Sequence, residues 1–238
     1  FDAVVVADGL HSPERAWLLD PGQVATYDTG WAGWVAWIDA DAAHTDLGDE
    51  IWGANFFVGI YPVKGRAGVF VGGDRADMEK GPAAFIAGIR SQLSSLDPWL
   101  EQGLAKVEAG QNLYFWKLTD CRADKWAVGR VALLGDAAAG FLPTAGIGAG
   151  MAMESASVLA PRLLDAGPDT VAEALLAYER AQRPRVEAAQ DNSRQLAKLM
   201  FRRSRALAVI RDLAVRLVPL STVLQPIRKL LDDRPLPA

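Results

Sequence analysis

One cysteine, Cys121, and two histidines, His11 and His44, are the only thiol and imidazole ligands among the 238 residues. A lone thiol closes no internal disulfide and suits a reducing, cytoplasmic setting. So thin a donor set leaves no metal site to expect. Long apolar runs are missing as well. No stretch approaches the roughly 18 uninterrupted apolar residues of a membrane span, and Arg211, Asp212 and Arg216 break the apolar windows near the C-terminus. The net charge of −4 is too mild, and of the wrong sign, for a protein whose main partner is nucleic acid. The opening Phe1-Asp2-Ala3-Val4-Val5-Val6-Ala7 does not read as a secretory leader and is expected to be a buried strand. The expectation is a fragment of a longer chain.

What is present is the composition of a globular protein. Half the residues are apolar, and eight Trp and eight Phe supply large surfaces to bury. Charge is unevenly spread: from Tyr178 onward there are thirteen Lys and Arg against six Asp and Glu, and before it twelve against twenty-three. Such a basic helical face reads first as solvated, with a membrane-surface or partner contact as the lesser alternative.

Periodicity divides the chain into stretches of different character. Residues 3–7 form a short β-branched run that stops at Asp8-Gly9, as a central parallel strand would, with a short helix after Pro13. Residues 31–38, 55–61, 67–71 and 113–118 are strand-like and separated by Gly, Pro and Asp, which predicts an antiparallel sheet. A helical pattern over 82–96 interrupts it and ends at Asp97-Pro98. A second apolar strand, 130–134, leads through a Gly- and Pro-containing loop to a helix over 148–164. Another helix starts near Thr170, and Pro184 is expected to kink or break it. Beyond it Leu196, Leu199, Met200, Leu207, Ile210, Ala214 and Leu217 recur at helical spacing, giving an amphipathic helix ended by Pro219, with a last short helix over 223–231.

Two segments carry chemistry. In Gly129-Arg130-Val131-Ala132-Leu133-Leu134-Gly135-Asp136-Ala137-Ala138 a strand delivers Asp136 to its carboxyl end, where ligands bind in open α/β sheets. Pro143 and then Gly146-Ile147-Gly148-Ala149-Gly150 follow and open a helix. There the backbone can approach a flat ligand, and helix N-terminal N–H groups can face an electron-rich atom. The second segment, Ala7-Asp8-Gly9-Leu10-His11-Ser12-Pro13-Glu14-Arg15, is a turn after a strand. Each alone is also what ordinary packing and turn chemistry produce. His11 and His44 fall in loops and read as exposed bystanders, and no hydrolase triad is visible.

Together, in this order and 127 residues apart, the two segments resemble the FAD-dependent aromatic hydroxylases, the class A flavoprotein monooxygenases similar to p-hydroxybenzoate hydroxylase. That family carries Asp-Gly-x-x-Ser-x-x-Arg early. Its later motif is Gly-Arg-Val-x-Leu-x-Gly-Asp-Ala-Ala-His, then Pro, then Gly-Gln-Gly-x-Asn. Tyr178-Glu179-Arg180-x-x-Arg183-Pro184-Arg185 behind the second motif fits the same order.

The resemblance implies an α/β fold: a partial Rossmann-like FAD-binding domain over residues 1–22 and 127–190, an inserted antiparallel substrate sheet over 23–126, and C-terminal amphipathic helices over 191–238. It also implies that Asp136 binds a ribityl hydroxyl, with Gly135 beside it and Pro143 next to the isoalloxazine ring. Backbone from Gly146 through Ile147, Gly148 and Ala149 to Gly150 would approach the pyrimidine end of the flavin. Asp8, Gly9 and Arg15 would lie near the pyrophosphate and the path of the nicotinamide cofactor.

The implied activity is an NAD(P)H-using, FAD-dependent monooxygenase that takes O2 and hydroxylates or epoxidises a small organic, aromatic substrate, with no nameable catalytic acid or base. A halogenase or prenyl-chain reductase of the same architecture is the alternative, although Trp34-x-x-Trp37-Ile38 matches the halogenase tryptophan motif only loosely. A non-catalytic fragment is another. Three positions depart from the pattern: Ala139 stands for His, Ile147 for Gln and Gly150 for Asn. The family's Gly-x-Gly-x-x-Gly fingerprint would precede Phe1, so this chain alone is expected to hold FAD poorly. The aromatics of the insert, Trp31, Trp34, Trp37, Phe56, Phe57, Tyr61, Phe70, Tyr114, Phe115 and Trp116, are expected mostly as core, with an apolar substrate pocket as the alternative. Oligomeric state is left open.

Overall fold

The structure is a computed structural model in which residues 1–39, 48–218, 222 and 225–232 are described. His44, Pro219 and Val223 fall outside them. In chain order the elements are β1 (Val4–Val6), α1 (Pro13–Leu18), β2 (Val24–Asp39), β3 (Asp49–Trp52), β4 (Phe56–Val63), β5 (Arg66–Asp74), α2 (Arg75–Met78), α3 (Pro82–Arg90) and α4 (Pro98–Glu108). Then come β6 (Tyr114–Ala123), β7 (Ala127–Val128), β8 (Val131–Leu133), β9 (Ala139–Gly140), α5 (Gly148–Leu164), α6 (Val171–Met200), α7 (Arg205–Leu217) and α8 (Gln225–Asp232). This is a mixed α/β protein. Its contacts divide it into two compact units, the first Phe1–Asp28, Thr119–Ala197 and Val218–Ala238, the second Thr29–Leu118 and Lys198–Leu217.

The first unit is built on a three-stranded sheet ordered β1-β8-β7. β1 and β8 are parallel, with Val4 opposite Val131 and Val6 opposite Leu133, while β7 returns antiparallel through a turn at Gly129, whose φ is +58°. β8 is therefore the central strand. β1, expected to be central and buried, is an edge among the described residues, and Val4 and Val5 are exposed.

α5 and α6 supply the other wall of the core, with Met151, Val158, Leu159, Leu175, Tyr178, Val186 and Ala189 packed with Ala132, Leu133 and Trp126. Polar ties fix the register. Tyr178 donates to the Leu133 carbonyl at 3.3 Å, and the Glu179 carboxylate accepts the N–H groups of Trp126 and Ala127 at 2.9 Å each. Arg185 meets Glu154 of α5 at 2.6 Å.

These ties explain why Pro184 does not break α6, which runs without interruption from Val171 to Met200. The ring removes one donor and costs about 3 kcal/mol in an isolated helix. Arg183, bonded to the Asp124 carbonyl and to Glu187, and the buried Gln190, bonded to the carbonyls of Cys121 and Gly140, hold the helix on both sides of the proline.

In the second unit the strands run β3-β4-β5-β2-β6. β4 and β5 form a hairpin closed by Lys64 and Gly65, both at positive φ, and β2 pairs with β5 from Trp31 opposite Asp74 to Asp39 opposite Arg66. Alternation sorts the side chains. Ala32, Trp34, Ala36, Val58, Ile60, Val69 and Val71 face the core with Phe85, Ile86 and Ile89 of α3 and Trp99, Leu104 and Val107 of α4. The helical pattern expected over 82–96 is thus shorter. Asp97-Pro98, read as its end, instead starts α4, with Asp97 capping the Trp99 N–H at 2.8 Å.

The opposite face of this sheet carries Phe57, Phe70 and Trp116, with ring centroids 5.8 and 6.4 Å apart in succession. A Cβ on Gly33 would fall 2.1 Å from Cζ of Phe70, so the far end of that ring occupies the space a side chain would need there. Among the aromatics weighed as core or pocket, Trp31, Trp34, Phe56 and Phe57 are buried, Phe70 and Trp116 are half-buried, and Trp37, Tyr61, Tyr114 and Phe115 are exposed.

The single C-terminal amphipathic helix expected from the sequence is interrupted. α6 ends at Met200, residues 201–204 are not helical, and α7 starts at Arg205.

Candidate functional site

Parallel pairing of β1 with β8 sends both chains out of the same end of the sheet. Asp8-Gly9 therefore emerges beside Gly135-Asp136, although 127 residues separate the two carboxylates. The Leu134 N–H donates to the Val6 carbonyl at 2.8 Å and carries the pairing up to that end. Gly135 takes φ +60°, which turns the chain into a short 3-10 segment, and a Cβ there would lie 3.2 Å from that of Ala152 in α5. α5 accordingly passes close over the turn.

Asp136 is exposed at the surface, yet partial desolvation raises its carboxyl above the ordinary value, with no hydrogen bond among the described residues to offset it. It is an accessible, partly desolvated acceptor with no donor among the described residues, which suits a ligand hydroxyl. Its backbone is well anchored: the Ala138 carbonyl accepts from Ala123 at 2.9 Å, and β9 pairs with Cys121 and Arg122.

Arg15 is the main tie between the two motifs. Its guanidinium donates to the Ala137 carbonyl at 2.9 Å and to the Leu10 carbonyl at 2.7 Å, with the Asp136 carbonyl at 3.5 Å. α1, which presents it, is capped by Ser12, whose buried hydroxyl accepts the Arg15 N–H at 2.9 Å, with Pro13 at the first helical position. In the turn before α1, Gly9 adopts φ +93° with open space where a Cβ would stand. Two carboxyls share this loop, Asp8 exposed and Glu14 half-buried with one oxygen enclosed. The hydrogen bond to Asp8 raises Glu14, while Asp8, despite partial desolvation, is held below the ordinary range by hydrogen bonds with Glu14 and Ser12.

The glycine turn after Pro143 divides its labour. Pro143–Ala145 is a 3-10 turn pinned to α6 by Thr144, which donates to the Ser193 carbonyl at 2.7 Å. Gly146 closes it in the left-handed region, φ +65°, where a side chain is strained. At Gly148 a Cβ would come 3.1 Å from the Phe141 Cβ, so the requirement there is packing. A Cβ at Gly150 would meet nothing within 4 Å, and this exposed glycine faces open space.

Ile147 is the N-cap of α5, makes no side-chain cap and packs on the core. The N–H groups of Gly148, Ala149 and Gly150 precede the first bond of the helix, from Met151 to the Ile147 carbonyl at 2.9 Å, and are left as donors. The departure at Ile147 thus trades a polar side chain for an anchored, uncapped helix start. Ala139 is buried in β9, with its side chain in the core.

Sequence reasoning singled out Asp136 and the glycines, which the structure brings to one end of the first unit together with Asp8, Gly9 and Arg15. It missed the Arg15 bridge to Ala137 and the Asp8–Glu14 pair. Neither has a local signature, since both arise from a strand pairing or a loop closure. His11 lies in an exposed turn and takes no part.

The fit to a flavin is good on the ribityl and ring side. Among the described residues, the features are an exposed acceptor with no protein partner, three N–H donors with no acceptor at a helix N-terminus, and glycine backbone that a planar group can reach.

Comparison with known proteins agrees with this geometry. The pattern of the FAD binding domain family matches residues 2–193. The 3-amino-4-hydroxybenzoate 2-monooxygenase of Streptomyces cremeus is 31% identical over 83% of this chain and 50% of its own length. The salicyloyl-CoA 5-hydroxylase of a Streptomyces species is 30% identical over 82% of this chain and 39% of its own. Among solved structures, Klebsiella pneumoniae HpxO complexed with FAD and uric acid superposes with a TM-score of 0.81 at 23% identity, over 98% of this chain and 60% of that one. The chain therefore spans half or less of the length of these curated relatives.

Proposed function

Because the chain belongs to the FAD binding domain family, we propose that its first unit holds the ribityl and isoalloxazine side of FAD. The protein to which it corresponds is then an FAD-dependent monooxygenase that hydroxylates a small aromatic substrate with NAD(P)H as reductant. The observation that carries this reading is the Asp136 carboxylate, accessible, partly desolvated and without a donor among the described residues, beside the uncapped start of α5.

In that role Asp136 accepts a ribityl hydroxyl. The N–H groups of Gly148, Ala149 and Gly150 face the electron-rich pyrimidine edge, where a helix N-terminus stabilises negative charge without burying a cation. Pro143 borders the ring, and Gly150 leaves it room. Asp8 and Gly9 border the pyrophosphate path. Arg15 acts as a positioning residue, since its donors are committed to carbonyls. Bound FAD would supply the redox chemistry, with NAD(P)H as two-electron reductant, one atom of O2 entering the substrate and the other leaving as water. On the second unit, the aromatic sheet face of Phe57, Phe70 and Trp116 supports a planar apolar substrate.

The test is made on the chain extended to its relatives' length and loaded with FAD. NAD(P)H consumption and O2 uptake should rise when a hydroxybenzoate-type substrate is added, and the product should gain one oxygen atom. Flavin binding with no substrate-dependent O2 uptake across a panel of aromatic acids and phenols would overturn the monooxygenase reading.

A further inference from the structure

α7 is turned the wrong way round for a helix of a soluble surface. Ala206, Leu207, Ile210, Leu213, Ala214 and Leu217 recur at helical spacing and form one stripe. An amphipathic helix normally buries such a stripe, yet here the buried residues of α7 are Ala208 and Arg211, on the opposite side. Ile210 is 63%, Leu213 60% and Leu217 75% exposed, with Val209 beside them at 65%.

Inward-facing polar contacts fix this rotation. Arg211 is buried, donates to the Met200 carbonyl at 3.1 Å and to the Trp52 carbonyl, and lies 6.0 Å from the Trp52 ring. The linker before α7 is held too: Phe201 stacks on Trp31 at 4.5 Å, and the Arg202 carbonyl accepts the Asn55 N–H at 2.7 Å. The outward stripe is thus a built feature of the second unit. Contiguous exposed apolar surface of this kind marks an interaction site.

Charge selects the occupant. Residues 198–217 carry six Lys and Arg and one Asp. Arg203 is paired with Asp74 and Arg211 with Asp212, whereas Arg205 and Arg216, at the two ends of the stripe, make no ion pair among the described residues. A second copy seated on the stripe would bring two such cationic segments face to face, at a repulsive cost. An anionic lipid surface offers what both halves of the pattern need, acyl chains for the stripe and phosphates for the flanking guanidinium groups. No described helix is long and apolar enough to cross a membrane, so contact would be with the surface alone. We propose that α7 is an interfacial anchor. It seats Leu207, Ile210, Leu213 and Leu217 at the headgroup and acyl boundary of an anionic bilayer, with Arg205 and Arg216 on lipid phosphates.

Flotation of the chain with vesicles tests this. It should float with vesicles of mixed phosphatidylglycerol and phosphatidylcholine, and stay behind with phosphatidylcholine alone or at high salt. Leu213→Glu should abolish flotation while leaving the circular dichroism spectrum unchanged, because the residue it replaces touches little of the protein. The double change Arg205→Gln and Arg216→Gln should weaken binding about thirtyfold, at roughly fivefold for each arginine. Failure to float with anionic vesicles, or flotation indifferent to Leu213→Glu, overturns the proposal. So does a concentration-dependent dimer in light scattering that Leu213→Glu disperses, since the stripe would then belong to a second copy.

Discussion

The guanidinium of Arg15 lies 2.9 Å from the carbonyl oxygen of Ala137, a residue 122 positions further along the chain. With the bond to Leu10 it locks the loop after β1 to the turn that presents Asp136. Hydrogen bonds from a charged donor are each worth about 1.5–3 kcal/mol. Arg15→Met should therefore lower the unfolding free energy by roughly 2–4 kcal/mol, allowing for the loop's partial exposure. Denaturant unfolding checks it, and a loss under about 0.5 kcal/mol would show that the loop is held by other means.

Asp136 should behave as a residue kept for binding at a cost in stability. Burial raises its carboxyl in the folded chain, so folding favours the protonated form. That contribution is fully present at pH below the ordinary carboxylate value and is lost as pH rises through the raised one. Asp136→Asn removes the ionisation, so the ligand-free variant should be more stable than the parent at pH 7, with the difference vanishing toward pH 3. Thermal melts across that range decide it, and a variant less stable at pH 7 would mean that the carboxylate has a protein partner.

Gly146 and Gly150 should respond in opposite ways to alanine. At φ +65° a side chain is strained, and Gly146→Ala should cost about 1 kcal/mol or more. Gly150 is in the first turn of α5 with open space around it, and Gly150→Ala should raise stability by up to about 1 kcal/mol. If the new methyl occupies room meant for a flat ligand, the same variant should bind flavin more weakly. Equal stability effects at both positions would contradict the division of roles.

Glu179→Ala leaves the N–H groups of Trp126 and Ala127 without their acceptor. Each part-buried unmade bond costs about 1–3 kcal/mol, which predicts a loss of roughly 2–4 kcal/mol. Hydrogen exchange should show the Trp126 and Ala127 amides losing protection first. Unchanged protection at both would remove Glu179 from the account of how α6 is held.

Local patterns were legible wherever structure follows local rules. The bounds of α5, the strand before Asp136, the Ser12-Pro13 helix start and the alternating strands of the insert all rest on caps, periodicity and turn residues. What was not legible depends on contacts between distant segments. Pro184 reads as a break until Glu179, Arg183, Arg185 and Gln190 are seen bonded on both sides of it. Asp97-Pro98 is ambiguous in sequence because the same pair ends one helix and starts the next. The stripe on α7 predicts amphipathicity, but which way it faces is decided by Arg211 and Trp52. In the candidate site Asp136 and the glycines were legible by motif, and the Arg15 bridge was not.

The most direct test of the account is the ribityl contact itself. Riboflavin and lumiflavin share the ring system, but lumiflavin carries a methyl group where riboflavin has the ribityl chain. Quenching of flavin fluorescence should show the chain binding riboflavin about tenfold or more tightly than lumiflavin, the value of a hydrogen bond to a charged acceptor. In Asp136→Ala that preference should collapse toward unity. An unaltered preference for riboflavin in the variant would contradict the assignment of Asp136 to the ribityl hydroxyls and, with it, the orientation proposed for the flavin.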